Sequence, residues 1–182
     1  LGCDTAALVK LGQDARADQI LRRLADEGVS TRYAVRDGRA PTGASVLISS
    51  HERNAAVFAF RGANTLLEDA DLKTDAFAVD IVHVASLSNK SADCFPAIVA
   101  RAKAEKARVV VNPGIRQLSL KTADFLNLAP DIDTISINRT EAEALVPAIV
   151  ARHGEGGSIL DGTGLDDVPR LLKRGFAGGG FE

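Results

Sequence analysis

The chain has 182 residues, 46% of them hydrophobic and 25% charged, with a net charge of -2. That is enough for one domain with a real core, and it offers no global basic field for nucleic acid. Cys3 and Cys94 lie far apart without paired spacing, which argues against a disulfide framework or a structural zinc site and fits a reducing cytoplasm. No apolar run reaches membrane-spanning length and no signal peptide is visible. The first residues are Leu-Gly rather than Met, as though in mid-protein, so a fragment is expected.

In chain order, Ala6 to Leu11 reads as a strand ended by Gly12. Asp14 to Glu27 reads as a helix with Ile20, Leu21 and Leu24 as its apolar stripe, Asp14 as its cap and Gly28 as its stop. Thr31 to Val35 is a short strand. Asp37-Gly38 and Pro41-Thr-Gly43 then break the chain. Ala44 to Ser49 and Ala55 to Phe60 form a hairpin around the polar loop Ser50 to Asn54. Three neighbouring strands without an intervening helix cannot all belong to a parallel βαβ layer. A small antiparallel sheet spanning 31–62 is therefore expected, serving as a lid or an oligomer surface. Arg61-Gly-Ala-Asn64 follows at once and brings a guanidinium and an amide near backbone that a ligand can approach; the plain alternative is a turn with a solvated Arg.

The second half changes rhythm. Strands are expected at Asp80 to Ala85, Arg108 to Asn112 and Thr134 to Ile137, and helices at Ser91 to Lys106, Lys121 to Leu128 and Thr140 to Val150. This alternation predicts a parallel sheet covered by helices, with Val109 to Val111 as a central strand, apolar on both faces. The strand ends at Ala85–Ser88, Asn112 and Asn138 should line up along one edge, the carboxyl edge where ligands bind in such sheets. At Asn138-Arg-Thr-Glu141 a strand gives way to a helix over one or two residues. The helix start presents free N–H groups and a partial positive charge suited to phosphate, and Glu141 could hold a cation or its bound water beside it. The plain alternative is that Asn138 or Thr140 caps the helix and Glu141 complements its dipole.

Beyond Val150 the pattern weakens to a loop over Arg152 to Gly157 and a short helix at Asp167 to Lys173. The glycine run between Phe176 and Phe181 lacks the strand-and-helix context of a phosphate loop. His51, His83 and His153 are scattered, and His83 reads as a core or edge residue of its strand. Neither the dinucleotide glycine fingerprint nor the P-loop signature is present, which counts against those nucleotide folds.

The order of these motifs resembles the ribokinase-like (PfkB) carbohydrate kinase family. Ala7-Leu-Val-Lys-Leu-Gly-Gln-Asp14 with Glu27-Gly-Val29 is similar to the segment after that family's first glycine motif. Pro41-Thr-Gly43 resembles its lid strand, and Arg61-Gly-Ala-Asn64 its substrate-side loop. Asn112-Pro113 matches the strand end before its next helix, and Asn138-Arg-Thr-Glu141 its Asn-x-x-Glu motif. The resemblance covers residues 6 to 146. It implies a three-layer α/β/α fold with a mostly parallel sheet and a small antiparallel β lid. It also implies a cytoplasmic sugar kinase that transfers the γ-phosphoryl group of ATP to a sugar hydroxyl. Asn138 and Glu141 would organise Mg²⁺, through water, and the ATP phosphates. Gly43, Arg61 and Asn64 would lie on the substrate side, with Ser86 and Asn112 as further substrate contacts. Apart from the resemblance, the hairpin's edge strands lead to the expectation of a homodimer paired through the β lid, since pairing would hide them.

The sequence departs from the family in lacking both its N-terminal diglycine motif and its C-terminal Gly-Ala-Gly-Asp motif, whose Asp is the catalytic base. The chain is thus expected to be one partial domain, the middle of such an enzyme, and inactive alone. The alternatives are a nucleoside kinase of the same family, a non-catalytic sugar- or nucleotide-binding α/β protein, and an unrelated nicotinamide-dependent enzyme.

Overall fold

A computed structural model describes residues 2–49 and 55–153. The expected helix at 167–173, the glycine run near the end and the hairpin loop with His51 lie outside the described residues. The chain divides into two compact units, one drawn from Leu1–Ala76 and Asn89–Cys94, the other from Phe77–Ser88 and Phe95–Glu182. Among the described residues no helix is long and apolar enough to cross a membrane.

The first unit starts with β1 (Ala6–Gly12), α1 (Ala15–Asp26) and β2 (Ser30–Asp37). Asp14 caps α1 through the Ala17 N–H. Gly28, at φ +75°, ends it: the Val29 N–H reaches the Leu24 carbonyl and the Gly28 N–H that of Ala25, satisfying the last turn. Ala17 is fully buried and Leu21 and Leu24 are half-buried, whereas Ile20, expected in the apolar stripe, is exposed. β3 (Ala44–Ser49) and β4 (Ala55–Phe60) pair antiparallel. The expected third member of that sheet does not join it. β2 pairs parallel with β1 from Ala6↔Ser30 to Gly12↔Asp37, because α1 supplies the crossover a parallel pair requires. The expectation of three antiparallel strands is corrected accordingly.

Short 3₁₀ turns at Gly62–Leu66, Asp69–Asp71 and Thr74–Ala76 follow. Lys10, on β1, is a buried cation 2.7 Å from Asp71 and 3.2 Å from Asp37. Burial opposes its charge, but the two carboxylates outweigh burial and hold the ammonium above its ordinary pKa. Arg39 extends this network to Asp37 and Glu68. The helix expected from Ser91 to Lys106 is broken into α2 (Lys90–Asp93) and α3 (Phe95–Ala104). The interruption falls at Cys94, and Pro96, as the second residue of α3, has no N–H to donate back to the Ala92 carbonyl and carry one helix into the other.

The second unit holds β5 (Ile81–Val84), β6 (Arg108–Val111) and β7 (Thr134–Ile135) in one parallel sheet, in that order. β6 is central, and Val109 and Val111 are completely buried. β7 is shorter than the expected Thr134 to Ile137, although the Ser136 N–H still reaches the Val111 carbonyl. The core is closed by Phe95 and Phe125, stacked at 5.8 Å between centroids, together with Leu118, Leu145 and Ile149. Phe125 comes from α5 (Thr122–Leu128), and Leu118 from α4 (Ile115–Leu120), a six-residue helix the sequence pattern did not disclose. The last helix among the described residues is α6 (Arg139–His153), which runs through Pro147.

Candidate functional site

In the first unit, the two feet of the β3–β4 hairpin meet. A Cβ placed on Gly43 would lie 2.6 Å from the Arg61 carbonyl oxygen and 3.0 Å from Asn64 Nδ2. Gly62 adopts φ +54°, and a Cβ there would strike the Pro41 carbonyl; the Ala63 N–H donates to that same carbonyl at 2.9 Å. Only glycine fits either position without moving backbone. Gly43, Arg61 and Asn64, expected together from sequence, are thus neighbours, and the Arg61 side chain is exposed.

The same feet are tied to the start of α1 by residues that sequence reasoning did not assign to the site. Asp14 Oδ1 accepts from the Ala17 N–H at 3.0 Å and from the Thr42 hydroxyl at 2.7 Å, and Oδ2 accepts from the Thr42 N–H at 2.7 Å. Thr42 Oγ1 in turn accepts from the Gly12 N–H at 2.9 Å, and the Thr42 carbonyl accepts from Arg16 at 3.2 Å. Thr42 is 1% exposed. The Thr42 N–H, the Thr42 hydroxyl and the Ala17 N–H together hold the Asp14 carboxyl down at a pKa of about 2. The sequence signal was present as a helix cap at Asp14 and a Pro-Thr-Gly break, but nothing local joins the two.

The second unit carries the other candidates along the carboxyl edge of β5, β6 and β7. Parallel pairing in that order puts Ala85–Ser88, Asn112 and Ser136–Asn138 on one edge, as the alternation predicted. Ser86 is exposed, with its hydroxyl packed directly against Gly114. Asn112 donates from Nδ2 to the Ser136 carbonyl at 2.7 Å and so ties the end of β6 to the segment after β7. Gln117, on α4, is buried; its Oε1 accepts from the Leu87 N–H at 3.4 Å, and its Nε2 has no partner among the described residues.

At the start of α6, Asn138 and Glu141 bond reciprocally. The Asn138 N–H donates to Glu141 Oε2 at 2.9 Å, and the Glu141 N–H donates to Asn138 Oδ1 at 3.0 Å. This is a capping box with Asn138, not Thr140, at its head, and the Ala142 N–H closes the first helical turn on the Asn138 carbonyl. The box leaves the N–H groups of Arg139 and Thr140 and the second Glu141 oxygen without partners among the described residues. Glu141 is half-buried, and Asn138, Arg139 and Thr140 are exposed. The junction therefore combines a helix terminus bearing open N–H groups with an adjacent carboxylate. Among the described residues no group of three His, Cys, Asp or Glu side chains is arranged around a metal position.

Comparison with known proteins identifies the family and the fold. The family model described as pfkB family carbohydrate kinase matches residues 1–151. Similar solved structures include a fructokinase with bound ATP from Xylella fastidiosa, 17% identical with a TM-score of 0.73, the match covering 96% of this chain and 55% of that one. A putative ribokinase II in its apo form from E. coli is 15% identical at a TM-score of 0.76, over 96% of this chain and 55% of that one. Adenosine kinase from Sinorhizobium meliloti is 18% identical at 0.73, over 96% and 51%. The chain thus spans about half the length of the solved structures it matches. At these identities the likeness shows the fold, a ribokinase-like mixed α/β architecture with mostly parallel sheets and a small antiparallel one. The chain belongs to the pfkB family of carbohydrate kinases.

Proposed function

We propose that the protein is an ATP-dependent kinase that transfers the γ-phosphoryl group to a hydroxyl of a sugar. The observation that carries this reading is the junction at Asn138–Glu141, on the carboxyl edge of a parallel sheet. Phosphoryl transfer needs charge neutralisation and positioning more than covalent chemistry by the protein. The open N–H groups of Arg139 and Thr140 would receive phosphate oxygens, with the positive end of the 15-residue α6 behind them. The capping bond from Asn138 fixes the direction of the Glu141 carboxylate.

A phosphate and a carboxylate at one helix start repel each other unless a cation joins them. The donor set fits Mg²⁺, which takes one or two carboxylates and leaves its other positions to water and phosphate. Glu141, with Asn138 through water, would hold the ion, which when bound neutralises charge on the ATP phosphates. In the first unit, Gly43 lets backbone come close to an acceptor, while Arg61 and Asn64 supply donors for its hydroxyls. Ser86 and Asn112 are proposed as further substrate contacts on the strand-end edge. The catalytic base is not among the residues assigned here; the β3–β4 hairpin would serve as the lid, and the cytoplasm is the proposed compartment.

A nucleoside acceptor is the second reading, favoured by the adenosine kinase of similar fold from Sinorhizobium meliloti. A non-catalytic binding protein on the same scaffold would show ligand binding without turnover. The deciding experiment is Mg²⁺-dependent ADP release by the full-length protein across a panel of sugars and nucleosides. Turnover on a sugar supports the first reading and turnover on a nucleoside the second; ligand binding with no turnover on any panel member overturns both.

The assembly proposed is a homodimer through the hairpin. Val46, Leu47, Ile48, Val57, Phe58 and Phe60 are each 54–64% exposed, on both faces of two strands. A second copy covering this apolar surface would remove it from water and pair the free edges. Light scattering should give twice the monomer mass, and Phe58→Glu should return the monomer; a wild-type monomer at micromolar concentration refutes the assembly.

A further inference from the structure

Nothing assigned above explains why so many hydrogen bonds converge on one threonine at the foot of the hairpin. Every polar group of Thr42 is engaged within the first unit. Its N–H and hydroxyl both donate to the Asp14 carboxylate, its hydroxyl oxygen accepts from Gly12, and its carbonyl accepts from Arg16. The side chain is sealed from water. In such surroundings a carboxylate that accepts from both the N–H and the hydroxyl of one residue fixes that residue in position and rotamer. Thr42 sits between Pro41, whose carbonyl holds the Ala63 N–H, and Gly43, whose backbone abuts Arg61 and Asn64. A displacement of Thr42 therefore moves both feet of the hairpin at once.

We infer that Asp14 and Thr42 form a pin that sets the pose of Gly43, Arg61 and Asn64, making them positioning residues for the acceptor. The role as positioning residues rests on the proposed kinase reading; the pin as a mechanical element does not. The two bonds that Asp14 makes to backbone N–H groups survive in Thr42→Val, which removes only the hydroxyl that bridges Asp14 to Gly12. α1 therefore keeps its cap, while the hairpin foot keeps its backbone bond to Asp14 and loses the hydroxyl bridge that ties it to Gly12. Thr42→Ser keeps the bridge. Neither residue is expected to touch substrate, so the effect falls on acceptor affinity rather than on ATP.

The test compares full-length wild type, Thr42→Val, Thr42→Ser and Asp14→Ala by steady-state kinetics and by amide hydrogen exchange. Thr42→Val should raise the acceptor KM roughly tenfold, about the worth of one hydrogen bond to a charged group, with the KM for ATP unchanged. Thr42→Ser should restore it. Independently of turnover, the amides at positions 42 and 63 should exchange faster in Asp14→Ala, and to a smaller extent in Thr42→Val, where the position-42 N–H keeps its bond to Asp14, while those within α1 stay protected in Thr42→Val. An equal rise in both KM values, failure of Thr42→Ser to restore the acceptor KM, or unchanged exchange at Thr42 and Ala63 overturns the inference. Absence of turnover by wild type overturns the kinase reading and with it the positioning role, and the exchange measurement then decides the pin alone.

Discussion

Glu141→Gln separates the two things the start of α6 does. The substitution keeps an oxygen where Glu141 Oε2 accepts from the Asn138 N–H at 2.9 Å, and it leaves the Glu141 N–H on Asn138 Oδ1 at 3.0 Å. The capping box thus survives, and the stability lost is the attraction of one carboxylate for the helix dipole, about 0.3–1 kcal/mol. Asn138→Ala removes the acceptor for an N–H that the fold otherwise leaves open, at a cost of about 1 kcal/mol. If the carboxylate also organises Mg²⁺ and the phosphates, its neutral isostere loses a preorganised charge aimed at the reacting group. Losses of that kind run to about 2.7–4 kcal/mol, or about 10²–10³ in kcat. Rate and stability should therefore part company in Glu141→Gln. Thermal melts with ADP release measured across a Mg²⁺ titration provide the assay. The expected result is a nearly wild-type melt with turnover down at least a hundredfold and a higher Mg²⁺ requirement. A Glu141→Gln enzyme with kcat within about threefold of wild type would refute the reasoning, leaving Glu141 as a cap residue alone.

Other outcomes follow from the packing and charges. Phe125→Ala should destabilise the second unit by about 3–5 kcal/mol, because Phe125 is 1% exposed and stacked on Phe95, so its removal leaves a cavity; denaturant melts measure this. The Asp14 carboxyl, held at a pKa of about 2, titrates below its ordinary 3.8. Its contribution to stability is therefore fully present above about pH 3.8 and is lost as pH falls through about 2. An acid titration of the folded protein should show that loss, and Asp14→Asn should flatten it. A curve of identical shape in the variant would mean that other carboxylates carry the acid limb. Asp133 adds to the same limb: burial opposes its ionisation, but the Val109 N–H and Lys103 overcome that and depress its pKa.

Residues 80–150 were legible because their signals are local. Val109 to Val111 is apolar on both faces, so it had to be central, and helices between strands force parallel pairing. The order β5, β6, β7 then places Asn112 and Asn138 on one edge. Asn138 and Glu141 are three residues apart, and a cap and its partner at that spacing can be read directly from sequence. Interruptions were harder. The interruption at Cys94 divided an expected helix although the apolar positions continued through it, and α4 is too short for its period to show.

What the amino-acid order determined on its own, then, was the second unit's strand and helix alternation, the hairpin and a polar cap at the start of α6, whose head, Asn138 or Thr140, it left open. The helix between β1 and β2 marks them for parallel pairing, but only tertiary structure decided that β2 stays out of the hairpin's antiparallel sheet. It alone brought Thr42 to Asp14 across 28 positions and Lys10 to Asp71 across 61. A carboxylate's partner over such distances is chosen by how the chain closes on itself. Desolvation then makes that choice costly to undo, because a buried ion without its partner has nothing to replace the water it lost.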